Sequence, residues 1–332
     1  MALSSPLLLL TIISNAGEWM YLEGLLQADD VAKQHRTALQ ALQKAIGLAH
    51  QPSSRTSDLS GTSPKALDVG LDTLGAVLMQ VTNSYFLGWG PVQYHLDAAS
   101  HLIQELGISS FKGDDFMSSF LLQRFILLDV WSAMLQNHRP LLPSGHWALQ
   151  PEAMLDSRDP SFREMTGCPH PVICILSRIC HLVADLGKED TSDILRVAFI
   201  AENDLRLYGS TTGIHEKVQE QDAQSDYEIL ARCWYWCAHL LIQRRIYADP
   251  WSSRRVSETV YTLTALVESI SSSSKLYQKV ETFLCVLAVE AEDEVVVQWI
   301  LKKNKALAKR TPSRTRDDIV GAMTARIRGK PG

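Results

Sequence analysis

The sequence predicts an all-α fold, a multi-helix bundle of about ten helices in a single compact domain. Three observations carry that expectation. Apolar residues recur at steps of three and four through the long segments. Proline and glycine gather between those runs and do not interrupt them. No stretch alternates apolar and polar residues between turns for long enough to make a strand. At 332 residues, 46% hydrophobic and 21% charged, the chain can bury a sizeable core.

The stretch around which the rest is organised is MTGCPHPVICILSRICHLVADLG, residues 165–187. Gly167-Cys168-Pro169 is a turn, and Pro169 and Pro171 pre-set the φ of a first helical turn, where a missing N–H costs nothing. Val172, Ile175, Leu176, Ile179, Leu182 and Val183 then hold the helical period on a face broad enough to be buried nearly all round. Gly187 suits the position just past a helix end.

In chain order, a leucine run from Pro6 makes a first helix, and a second starts near Glu23 with Leu25, Leu26, Val31, Ala38, Leu42 and Ile46. The polar residues 51–63 read as a mobile linker. Ser63-Pro64 opens a strong helix, and Gly88-Trp89-Gly90-Pro91 turns the chain into another over residues 92–106. Asp114-Asp115 can cap a helix over 116–135. Residues 139–165, with Pro140, Pro143, Pro151 and Pro160, are too rich in breakers for regular structure. Helices follow over 191–208, 227–247, 252–271 and 275–301.

Charge is uneven. Residues 302–332 hold ten basic side chains against Asp317 and Asp318, a net +8, and the formal total of −5 leaves −13 on residues 1–301. An acidic body excludes a whole-surface nucleic-acid binder. The basic segment reads as a disordered tail, with Lys302, Lys303, Lys305, Lys309, Arg310, Arg314 and Arg316 as candidate nuclear-import or phosphate-contacting residues. The plain alternative is a solvated, fraying C-terminus.

All six cysteines lie in apolar runs after residue 165, which points to reduced thiols and no disulfide framework. Leu7 to Ile13 could pass for a signal core, but no basic segment precedes it and no small-residue cleavage site follows. It reads as a core helix, and no run approaches the length needed to span a bilayer.

Several blocks resemble a known family in the expected order. They are Ser5-Pro6-Leu7-Leu8-Leu9-Leu10, the His35–Leu42 helix, His95-Leu96-Asp97-Ala98-Ala99 running to Leu102-Ile103, Phe125 to Asp129-Val130, Gly167-Cys168-Pro169 with its apolar helix, and Trp236 to Arg244-Arg245 ahead of Asp249-Pro250. Together they are similar to the fungal-specific transcription factor domain, the helical regulatory region of zinc-cluster regulators, over residues 5–300. The resemblance implies an all-helical regulatory body, nuclear localisation, protein partners such as transcription factors or coregulators, a homodimer, and control of a metabolic or secondary-metabolite gene cluster. That family usually carries an N-terminal six-cysteine zinc cluster with Cys-x2-Cys spacings, and no two cysteines here are so spaced. The resemblance therefore carries over the regulatory domain without its DNA-reading motif. DNA would be met indirectly or through the basic tail.

Residues that could carry chemistry read as packing. Cys168, Cys174 and Cys180 step by six, about 120° around a helix each time, and cannot converge on one ion. Cys233 and Cys237 share a face, but His239 points elsewhere. Asn203-Asp204 with Ser210 and Glu216 is faintly similar to the metal-binding element of class I terpene cyclases. Its steps of seven and six in place of four, and the missing Asp-rich partner run, argue against magnesium. Asp129, in an apolar run, calls for a hydrogen-bonded packing role. No nucleophile elbow, P-loop or dinucleotide fingerprint appears.

No catalytic residue, cofactor or metal is expected, and the chain is read as a non-enzyme. Trp234, Trp236 and His239 are the candidate effector pocket; of the two tryptophans, one would line a cavity and the other the core. The competing readings are a helical enzyme of terpenoid metabolism and a scaffold that does not bind DNA.

Overall fold

The computed structural model describes residues 5–49, 64–87, 92–108, 116–143, 166–214, 225–311 and 313–329. Among them are twelve α-helices and no strand, as the periodicity predicts. In order they are α1 Pro6–Leu22, α2 Ala28–Ala49, α3 Pro64–Leu87, α4 Val92–Glu105, α5 Phe116–Gln136, α6 His170–Asp185, α7 Thr191–Thr212, α8 Asp226–Leu241, α9 Arg254–Ser269, α10 Val280–Glu290, α11 Glu294–Ala308 and α12 Arg314–Arg328. Contacts divide the chain into two compact units, residues 1–128 and 129–332.

In the first unit α1 packs on α2 and α3, and α3 packs on α4. Leu74, Val77, Val81, Leu96, Leu122 and Phe125 are buried there. The leucine run of α1 is less buried than its composition suggests. Thr11, Ser14 and Glu18 point inward, while Leu9, Ile12 and Ile13 stay partly exposed. Glu18 has polar partners on two sides, with His35 Nδ1 at 3.0 Å and the Asn83 amide donating to its carboxylate. A buried carboxylate persists only with such partners. Helix α2 starts at Ala28, five residues later than expected, because Gly24 at φ 72° turns the chain first.

Helix α5 is, by length and composition, long and apolar enough to cross a membrane, which corrects the expectation that no run approaches that length. Two thirds of that window is buried within the protein, as in the core helix of a globular fold.

In the second unit α6 packs against α7 and α8, α8 against α9 and α10, and α10 against α11 and α12. The Gly167-Cys168-Pro169 turn shows why those residues stand there. Thr166 Oγ1 accepts from Cys168 N at 2.9 Å, and Gly167 sits at φ 71°. A Cβ on it would lie 2.8 Å from Leu230 Cδ1 of α8, so glycine is required both for its dihedral and for close approach. Pro169 then occupies the N-cap position of α6, with no side-chain capping bond. Asp129, 2% exposed, accepts from Leu141 N at 2.9 Å and Leu142 N at 3.4 Å, and His181 Nε2 bonds Leu142 O at 2.9 Å. The carboxylate thus holds the chain where α5 has ended, which is a packing role.

Four expectations need correction or bounding. The segment 275–301 is not one helix: a 3₁₀ turn at Tyr277–Lys279 leads into α10, and Asp293, accepting from Val295 N at 2.9 Å and Val296 N at 3.1 Å, caps a separate α11. The helix expected over 227–247 is α-helical only to Leu241 and continues as a π turn, Ile242–Ile246. The basic segment, expected to be disordered, is folded as the end of α11 and as α12. The mobile linker 51–63, and 144–165 of the irregular stretch, lie outside the described residues.

Folding of the basic segment has a clear cause. Arg316 is fully buried, donates to Thr311 O at 2.9 Å and reaches Glu281 at 3.5 Å and Asp317 at 3.4 Å. Arg326 donates to the carbonyls of Val289 at 2.7 Å, Ala288 at 3.2 Å and Ala291 at 2.7 Å. A cation at those last carbonyls satisfies acceptors that α10 cannot pair itself and complements its dipole.

Candidate effector pocket

Three elements of the second unit line an open depression of about 820 Å³. Helix α7 contributes Phe199, Glu202, Arg206 and Ser210, spaced so that they share one face. Helix α8 and its π turn contribute Tyr235, Trp236, His239 and Gln243, followed by Tyr247. Helix α9 contributes Arg255, Glu258 and Thr259. Close approach of α7 to α8 depends on Gly209, where a Cβ would meet Tyr235 Oη at 2.6 Å.

The three residues singled out from the sequence separate. Trp236 and His239 line the cavity, their rings 5.6 Å apart, and Tyr235 packs edge-on to His239 at 4.7 Å. Trp234 is buried in the core, edge-on to Phe283 at 5.2 Å. Residues two apart on a helix diverge by about 200°, so one tryptophan facing the cavity turns the other away. Gln243, Tyr247, Glu202 and Arg255 join Trp236 and His239 in the structure and are not among the residues the sequence singles out. A signal was present, because Trp236, His239, Gln243 and Tyr247 follow one another at steps of three and four. Placing α7 and α9 opposite them needs the tertiary fold.

The charges are closed on one another. Glu202, 5% exposed, takes a guanidinium hydrogen bond from Arg255, a phenol bond from Tyr247 at 2.9 Å, and the Arg206 guanidinium at 3.6 Å. Arg255 lies over the Tyr247 ring at 5.2 Å. Glu258 is paired with Arg254 at 2.7 Å. Burial pulls His239 down to about 4, against the opposing pull of Glu202, so its imidazole is neutral near pH 7. Burial also pushes Tyr235 up to about 12, and burial with the bond to Glu202 does the same for Tyr247.

The remaining candidates are tied elsewhere. Arg178 reaches Asp204 at 2.7 Å, Ser210 Oγ donates to Arg206 O at 2.9 Å, and Glu216 is outside the described residues. All six cysteines are free and buried, and burial raises the pKa of each thiol. In the basic segment Arg316 cannot meet a phosphate, being fully buried. Lys303 is held by Glu268 at 2.8 Å, whereas Lys302, Lys305, Lys309, Arg310 and Arg314 are exposed. A second concavity, about 590 Å³ and mostly apolar, lies between α9 and the start of α11, with Tyr261 and Val295 exposed on it.

Residues 1–316 match the profile of the fungal specific transcription factor domain. The chain belongs to that family. Membership gives it a regulatory role in transcription, a class of protein that works in the nucleus and is not typically enzymatic. No curated protein and no solved structure matches it. Within this fungal transcription factor domain the pocket lies entirely in residues 199–259.

Proposed function

We propose that the chain is a transcriptional regulator whose helical body docks a partner protein or a second copy of itself, with a small hydrophobic effector in the α7–α8–α9 pocket setting its state. The family match carries the regulatory part of this reading. The pocket supports the effector part, because it is large, aromatic-walled and has its charges already paired. The exposed apolar groove between α9 and α11 supports the partner part. Sequence-specific DNA contact is supplied by a zinc-cluster partner or by a segment outside this sequence. The gene set is a metabolic or secondary-metabolite cluster, as the resemblance implies.

The test is chromatin occupancy and reporter output of the tagged protein, with and without a zinc-cluster partner. Partner-dependent occupancy at a limited gene set is expected. No occupancy, or metal-dependent turnover of a prenyl diphosphate by the purified chain, overturns the reading. Nuclear import is best tested by substituting Lys302, Lys305, Lys309, Arg310 and Arg314 with glutamine. Deleting 302–332 would remove α12 and with it the packing on α10 and α11. Unchanged nuclear accumulation of the five-fold variant would show that import depends on other residues or on the partner.

A further inference from the structure

We propose that the pocket takes a flat, uncharged aromatic molecule carrying both a hydroxyl or N–H donor and a carbonyl-type acceptor, a class that rests on the effector reading above. Three observations define it. The first is charge. Each ionised group lining the pocket already has a partner of opposite sign: Arg255 and Arg206 on Glu202, a second contact from Arg255 to Asp249 at 3.5 Å, and Glu258 on Arg254. A charged ligand would compete with these pairs while losing its own hydration.

The second is an unanswered acceptor. Gln243 is 3% exposed, and its Nε2 donates to Thr259 Oγ1 at 3.1 Å. The Thr259 hydroxyl spends its one proton on Arg255 O at 3.0 Å, so it can only accept from Gln243. That fixes which way the amide faces and leaves Gln243 Oε1 with no donor among the described residues. A buried carbonyl oxygen left unpaired is costly, and a ligand donor relieves it. Beside it, neither ring nitrogen of His239 bonds to a described residue, and the neutral imidazole offers one donor and one acceptor. The indole N–H of Trp236 is likewise without a partner among the described residues.

The third is shape. Phe199, Tyr235, Trp236 and Tyr247 supply aromatic walls around about 820 Å³, in the size range of small-molecule sites. Rings stack on such walls without needing charge. The π turn places Gln243 here: it opens at Ile242, directly after α8, and buries Gln243 while Arg244 and Arg245 leave toward Glu292 and Glu290, at 2.7 and 2.6 Å.

The test uses the full chain and four probes, read by tryptophan fluorescence and calorimetry. 6-Acetyl-2-naphthol has both polar groups; 2-acetylnaphthalene lacks the donor, 2-naphthol lacks the acceptor, and 6-hydroxy-2-naphthoate is charged. The keto-phenol is expected to bind about tenfold tighter than each of the other three. In Gln243→Leu the advantage over 2-acetylnaphthalene should disappear, while binding of 2-acetylnaphthalene itself persists and shows that the pocket is intact. The wild-type ranking is decisive even should that variant fail to fold. Tightest binding by the naphthoate, equal binding of all four, or no binding of any overturns the proposal. Any of these outcomes leaves the regulator reading standing, since chromatin occupancy measures that separately.

Discussion

Acidification should destabilise this protein through His239 in a window that the pocket sets. The folded imidazole, pulled down to about 4 by burial, binds a proton less readily than the same group in the unfolded chain at 6.5. The unfolded state therefore takes up the proton first as pH falls. The stabilisation is fully present above pH 6.5 and is lost progressively toward pH 4. That gap, converted by 2.303RT, is worth about 3 kcal/mol, of which about 2.5 kcal/mol is realised between pH ~7 and pH ~4.5. The charges facing the ring are Glu202, which favours the imidazolium, and Arg255 and Arg206, which oppose it. His181 and His95 are also lowered by burial, so the wild-type slope alone is not diagnostic. The assay is urea unfolding across that range for wild type and for His239→Phe, which keeps the packing on Tyr235 and Trp236 but cannot titrate. Wild type should lose about 2.5 kcal/mol more than the variant over the window. Two curves that fall in parallel to within about 0.5 kcal/mol would refute the placement of a neutral histidine in this pocket.

Gly167→Ala should cost about 2–4 kcal/mol in urea unfolding, combining a left-handed dihedral with overlap on Leu230. Gly187→Ala, equally left-handed but in open space, should cost only the backbone part, about 1 kcal/mol, so equal losses at the two sites would sink the close-approach argument. Arg316→Met should destabilise by about 3–5 kcal/mol, because it leaves buried Glu281 with no cation and only the Ser313 hydroxyl as donor, and adding Glu281→Leu should recover part of that loss. A single variant as stable as wild type, with α12 equally resistant to limited proteolysis, would mean that this helix is not held by Arg316.

Legibility from the sequence followed the range of the interaction concerned. Helix identity was readable where a periodic apolar face decided it, as in α6, because the 3.6 spacing is a local property that tertiary packing only reinforces. Breaks were read less well. Asp293 looks like any polar residue until its side chain is seen accepting from the next helix's first N–H groups, so the sequence alone predicts α10 and α11 as one helix. The π turn after Leu241 carries no compositional mark. In the pocket, Trp236 and His239 were accessible as aromatic and titratable residues on one helix. Glu202 and Arg255 lie on helices whose relative placement no local pattern encodes.

The sequence by itself determined the all-helical class, the Gly-Cys-Pro entry to α6, the hydrogen-bonded role of Asp129 and the family resemblance. Each of these is written in neighbours along the chain, or in a single residue whose burial leaves one physical option. Only the tertiary structure decided that the basic segment folds, because burying Arg316 requires Glu281 to arrive from another helix. It alone also decided that Trp234 turns to the core while Trp236 faces the cavity. The direction of a helix face has no meaning until there is something opposite it.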